Sequence, residues 1–154
     1  MIGYEPVSVS RNGFRFCRYS VAVMVWIGVI WRVEPLILVC ALIMAASALL
    51  TVRRAPLIWL WTQTVDRAIP SATEVLDANG MRFAHIVATF ALGIPWVVLN
   101  YGPITATEAM WRLLVFVAAF KTLGALGYCP VSRFFTCAIG GGTCCPWMKG
   151  RKGA

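Results

Sequence analysis

Acidic side chains are scarce in this chain: six Asp and Glu stand against fourteen Lys and Arg, with a single histidine, in 154 residues. One histidine excludes His-rich metal spacings, and no Ser or Cys has an identifiable base with which to form a nucleophilic pair. A Gly-rich phosphate loop is also missing, so the nucleotide-binding classes built on one are excluded. Charged residues of both signs make up only 13% of the chain while 60% are hydrophobic, far beyond what a soluble domain of this length can bury. The chain therefore reads as a membrane protein rather than a soluble protein with an unusually apolar core. Seven Trp and four Tyr, many flanking the apolar runs, suit the interfacial belt where a ring lies half in lipid.

Four apolar segments are long enough to propose as transmembrane helices. The clearest is Leu36 to Val52, "LILVCALIMAASALLTV", uncharged and bounded by Glu34-Pro35 and Arg53-Arg54; at 1.5 Å per residue it crosses most of roughly 30 Å of hydrocarbon. Phe83 to Tyr101 is the second, with Pro95 expected to kink it near its far end. Tyr19 to Trp31 is apolar over only about thirteen residues, but Arg18 and Arg32 can snorkel at its ends, giving a helix over about 14–33. A fourth runs over about 110–128, with Arg112 at one end and Lys121 inside. No cleavable signal is expected, because the first eighteen residues lack an apolar core followed by a small-residue cleavage site. The N-terminal tail is expected to be a short interfacial segment.

Lys and Arg outside these spans cluster on one side: Arg11, Arg15 and Arg18 before the first, Arg53, Arg54, Arg67 and Arg82 between the second and third, and Arg133, Lys149, Arg151 and Lys152 after the fourth. Only Arg32 and Arg112 fall on the other side. Basic loops resist translocation, so both termini are expected in the cytoplasm. Nucleic-acid binding, the rival reading of a net charge of +8, fails because the charges sit at membrane edges rather than on one face.

The chain repeats itself. A shift of 67 residues lays Asn12-Gly13-Phe14-Arg15-Phe16 on Asn79-Gly80-Met81-Arg82-Phe83, with Arg18 on His85 and Val21 on Ala88. A further shift of seven lays Arg54-Ala55-Pro56-Leu57 on Tyr128-Cys129-Pro130-Val131. Each half is then one helical hairpin, over 1–54 and 82–128, related by a parallel repeat about the membrane normal. The repeated start is a membrane-placement signal: Asn12-Gly13 and Asn79-Gly80 turn or cap, Arg15 and Arg82 stay at the phosphates, and Phe16 and Phe83 enter lipid. Residues 55–81 form a cytoplasmic linker in which "PLIWLW" lies along the interface and Asp66, Glu74 and Asp77 are solvated charges.

Chemistry concentrates in the tail, residues 129–154. Cys17 and Cys40 lie in or beside helices, where Cys behaves as a small apolar residue. The other four, Cys129, Cys137, Cys144 and Cys145, fall within seventeen residues on the expected cytoplasmic side. Their spacing fits no zinc or iron-sulfur pattern, and neither a metal nor a cofactor is assigned. Arg133, Lys149, Arg151 and Lys152 nearby favour thiolates. Cys129 and Cys137 are the candidate thiol pair, with Cys144 and Cys145 as accessory thiols.

From "NGFRF" through "GYCP" the chain resembles the bacterial four-helix membrane family catalogued as domain of unknown function 4395, with its "RF" before helices one and three and its cysteine motif after helix four. Gly127, Tyr128, Cys129, Pro130, Thr136 and Cys137 are also similar to the end of a two-helix family that anchors some rhodaneses. That family usually separates its two thiols by more than the seven residues found here. The resemblance implies an all-α fold of four transmembrane helices in the bacterial inner membrane. It also implies an association with sulfur or thiol-redox traffic and a thioredoxin-like or rhodanese-like partner.

Lys121 is an intramembrane cation, which either binds a permeating or docked anion or snorkels to the cytoplasmic phosphates, the plainer outcome. His85 sits one turn into the third helix near the same surface, where a hydrogen-bonding role is more ordinary than ligation. Three classes of function follow, none of them an assigned enzyme: a thiol-dependent membrane protein, an accessory subunit of a larger membrane complex, and a small-anion or sulfur-species permease using Lys121 and His85 with Arg133 nearby.

Overall fold

The computed structural model describes residues 5–50, 52–68 and 72–128. Among them the chain runs β1 (Pro6–Ser10), α1 (Arg11–Ile30), α2 (Glu34–Leu49), one 3-10 turn (Val52–Arg54), α3 (Pro56–Ala68), β2 (Thr73–Asp77), α4 (Ala78–Tyr101) and α5 (Ile104–Ala125).

Helix α1 starts at Arg11, before the expected Phe14, because Ser10 caps it: its Oγ accepts the Gly13 N–H at 3.0 Å. Helix α4 starts at Ala78 for the same reason, the Asp77 carboxylate accepting the N–H groups of Asn79 and Gly80, each at 3.2 Å. The caps are therefore the residues before the repeated motif, and Asn12 and Asn79 sit inside the first turns. A cap needs a short polar side chain on non-helical backbone, and Ser10 and Asp77 take that place at the strand ends. They are themselves 67 residues apart, so the duplication includes its caps.

The α1–α2 turn closes through the Val33 N–H on the Gly28 carbonyl at 2.9 Å and the Arg32 N–H on that of Val29 at 3.4 Å. This is a Schellman closure, with Arg32 at φ 52 where glycine is usual. Arg32 also forms a bidentate ion pair with Glu108 at 2.9 and 3.3 Å and lies 5.8 Å from the centre of the Trp111 ring. Helix α5 accordingly starts at Ile104, right after Gly102-Pro103, and takes in Glu108 rather than starting at Met110. It ends with a second Schellman closure: Tyr128 N–H to Leu123 O at 3.0 Å, Gly127 N–H to Gly124 O at 3.2 Å, and Gly127 at φ 102. Helix α2 stops at Leu49, and Val52, the last residue of the expected span, begins the separate turn Val52–Arg54.

Where an interfacial tail and a solvated linker are expected, the chain pairs with itself. β1 and β2 form a two-stranded antiparallel sheet in the register Pro6↔Asp77, Ser8↔Val75 and Ser10↔Thr73. The sheet joins the starts of the two halves. Between the strands in sequence, α3 follows Pro56 as an amphipathic helix against α1, burying Ile58 and setting Trp61 4.7 Å from the Phe16 ring while Trp59 and Leu60 face outward.

The four long helices form a bundle in which the hairpins interlock. Besides packing within each hairpin, α2 lies against α4 and α1 against α5. A core of Val25, Ile37, Cys40, Leu92, Leu114 and Ala118 fills the centre, and a second cluster of Val9, Phe14, Cys17, Val52, Ala55 and Ile58 closes the sheet end. The Trp26 indole N–H donates to Thr122 Oγ1 at 2.9 Å, joining α1 to α5. Among the described residues α1 and α4 are long and apolar enough to cross a membrane; α2 is apolar but has sixteen residues, and α5 carries Glu108, Arg112 and Lys121.

Candidate functional site: a cavity at the sheet end of the bundle

At the end of the bundle next to the sheet, α1, α4 and α5 line a cavity of about 440 Å³. Helical spacing explains its walls. Phe14, Cys17, Arg18 and Val21 recur at three- and four-residue intervals and so share one face of α1. Ala84, His85, Ala88 and Ala91 do the same on α4, and Val117, Lys121, Gly124 and Ala125 on α5. Met44 of α2 and Glu74 and Leu76 of β2 complete the boundary.

Lys121 and His85, placed near the same surface by the sequence, both line this cavity. The Lys121 ammonium lies 3.4 Å from Met44 Sδ, a soft acceptor, and is close enough to Cys17, Cys40 and His85 for its charge to act on all three. His85 is buried, with the Ser47 backbone beside its ring, and its Nδ1 has no hydrogen-bond partner among the described residues. Ser47 is buried too and donates to the Ile43 carbonyl at 2.8 Å.

The duplication organises these polar groups. Arg18 corresponds to His85 under the shift of 67, and Ser47 to Lys121 under the shift of 74 that aligns the second helices. Equivalent positions of the two halves thus carry two cations, Arg18 and Lys121, on the α1–α5 side and two groups without fixed charge, His85 and Ser47, on the α2–α4 side. The scaffold is symmetric and its charge is not.

Several residues read as inert in the sequence belong to this site. Cys17 is indeed buried like a small apolar residue, yet it lines the cavity; Glu74, read as a solvated linker charge, is exposed and also lines it from β2. The 3.6-residue period from Phe14 to Val21, with Arg18 falling on His85, was the available signal. Asp66 instead accepts the Trp61 indole N–H at 3.1 Å, and Asp77 caps α4. Arg15 and Arg82 are exposed at the same end, with Phe16 and Phe83 partly buried. Cys129, Cys137, Cys144, Cys145 and Arg133 lie outside the described residues.

The family described as Domain of unknown function (DUF4395) matches residues 9–138. The chain belongs to the DUF4395 family. The matched region takes in the bundle from the end of β1, all the long helices, and the cysteines Cys129 and Cys137, while Cys144 and Cys145 fall beyond it. Neither a curated protein nor a solved structure matches this DUF4395 chain.

Proposed function

We propose that this DUF4395 protein crosses a membrane four times with both termini in the cytoplasm, and that its cavity binds a small anion, a sulfur species among the candidates, in a thiol-linked role. The carrying observation is that Arg18, Lys121 and His85, from three helices, line one cavity also lined by the thiol of Cys17.

Four crossings are supported by the outer faces of the bundle. Val23 and Ile30 on α1, Leu42 and Leu49 on α2, Phe90 and Ile94 on α4, and Leu113 and Phe116 on α5 all face outward and exposed. So many large apolar side chains on every face call for lipid as solvent. Of the charges that interrupt α5, Glu108 and Arg112 lie toward its start, where long side chains reach the interface, and Lys121 faces the cavity.

The basic residues at the sheet end favour a cytoplasmic location for the cavity. An anion entering there meets two fixed cations in surroundings of low dielectric, where their attraction exceeds its value in water. The tail thiols begin with Cys129, two residues after Gly127 on the cavity wall, and give the site a link to a thioredoxin-like or rhodanese-like partner.

The test is equilibrium binding of radiolabelled thiosulfate to the full chain in lipid nanodiscs. Saturable binding that weakens at least tenfold in Lys121→Met is expected. Binding unchanged by Lys121→Met and by Arg18→Gln, or none at millimolar thiosulfate, overturns the anion site.

A further inference from the structure

Deepening that reading and resting on it, we infer that the preferred ligand is a single-chain amphiphile: an anionic head held near Lys121 and Arg18 and an apolar body lying along α4 and α5.

Its size is the first argument. A bare inorganic anion displaces the volume of only a few waters, at about 30 Å³ each, and would leave most of a cavity of about 440 Å³ to water against apolar walls. Those walls are Phe14, Val21, Ala88, Ala91 and Val117, none of which can hydrogen-bond a solvated ion. From Ala84 to Ala91 they run about 10 Å along α4 at 1.5 Å per residue.

The direction of opening is the second. Val87 of α4 and Phe120 of α5 line the cavity and are 36% and 46% exposed. They mark an apolar mouth between α4 and α5, facing the hydrocarbon if the helices span as proposed. Among the described residues the charged groups on the cavity are Arg18, Lys121 and Glu74; Lys121 is next to Phe120 on α5, so the cations lie at nearly the same level of the bundle as that mouth. His85 adds a buried Nδ1 without a partner among the described residues, able to accept from or donate to a head group. A chain that covers the apolar walls and ends in an anion matches both sets of groups; a free inorganic ion matches only the charged ones.

Alkylation of Cys17 reads occupancy, because Cys17 lines the cavity while Cys40, also buried, does not. The full chain in nanodiscs of zwitterionic lipid is treated with N-ethylmaleimide, and modification of each cysteine is followed by mass spectrometry of its peptide. The competitors are thiosulfate, ethyl, butyl and octyl sulfonate, and octanol, with amphiphile concentrations counted per lipid so that partition into the bilayer drops out. Octyl sulfonate is expected to protect Cys17, leave Cys40 unchanged and bind at least tenfold tighter than octanol. Affinity is expected to rise by up to about fourfold per methylene from ethyl to octyl. In Lys121→Met the advantage of octyl sulfonate over octanol disappears, each protection being scored against that variant's own unliganded rate at Cys17; Arg18→Gln, scored the same way, serves if Lys121→Met does not fold. Thiosulfate protecting Cys17 as well as octyl sulfonate overturns the amphiphile and leaves the anion site standing. Octanol protecting as well as octyl sulfonate in the wild type, with no anion binding, overturns both.

Discussion

Ser8 lies directly opposite Val75 in the antiparallel ladder, and Val75 is the residue on which Ser8 falls when the chain is shifted by 67. A strand paired with its own repeat in antiparallel register has a local two-fold axis between the two residues. The duplication visible in the sequence is therefore a spatial symmetry at the sheet. The same axis explains why α2 packs on α4 while α1 packs on α5, since each contact is the image of the other.

That register is testable by cross-linking. Opposed residues in an antiparallel pair have Cα atoms about 4.5–5.5 Å apart, within reach of a disulfide. Ser8→Cys with Val75→Cys is expected to cross-link on mild oxidation, and Ser8→Cys with Leu76→Cys, whose side chains point to opposite faces, much less. Mass spectrometry of the linked peptides distinguishes both from bonds to native cysteines.

The Trp26–Thr122 hydrogen bond is expected to hold α1 to α5. Thr122→Val removes the acceptor, leaves a part-buried indole N–H unpaired, and should cost about 1–3 kcal/mol. Thermal unfolding in detergent measures it, and the double variant with Trp26→Phe should recover part of the loss.

Two glycines should respond to alanine with opposite signs. A Cβ at Gly28 would stand 2.6 Å from Cδ1 of Ile37, which is fully buried and cannot retreat, so Gly28→Ala is expected to destabilise by about 1–3 kcal/mol. A Cβ at Gly93, inside α4, meets nothing within 4 Å, so Gly93→Ala is expected to stabilise by about 0.5–1 kcal/mol through backbone entropy. Midpoints of thermal unfolding give both signs.

Gly127 sits at φ 102 with open space around it, so Gly127→Ala tests backbone strain alone. A cost of about 1 kcal/mol is expected, concentrated at the end of α5. Hydrogen exchange of the Gly127 and Tyr128 amides should speed up about fivefold, while the core of α5 around Leu114 is unchanged.

Much of this was legible in one dimension. The apolar runs gave four helices, and "NGFRF" against "NGMRF" gave the repeat. Lys121 and His85 stood out because a cation and an imidazole inside apolar runs are rare. The helix starts were displaced because Ser10 and Asp77 are ordinary residues until the strands before them fix them as caps. The strands themselves were hidden: "PVSVS" and "TEVLD" are short, dissimilar and far apart, and only pairing across the dyad makes either one a strand. Cys17 is buried and Glu74 exposed, as their segments imply; that both also line a cavity follows from helices distant in the chain, which neither segment contains.

Composition and period by themselves determined that the chain is helical, apolar and duplicated, because hydrophobic spacing and repeated letters are local properties of a sequence. Tertiary structure alone decided that Arg18, Cys17, Glu74, His85 and Lys121 share one space. Their meeting depends on how α1, α4 and α5 pack beside a sheet, and a packing geometry among distant segments leaves no local mark on any one of them.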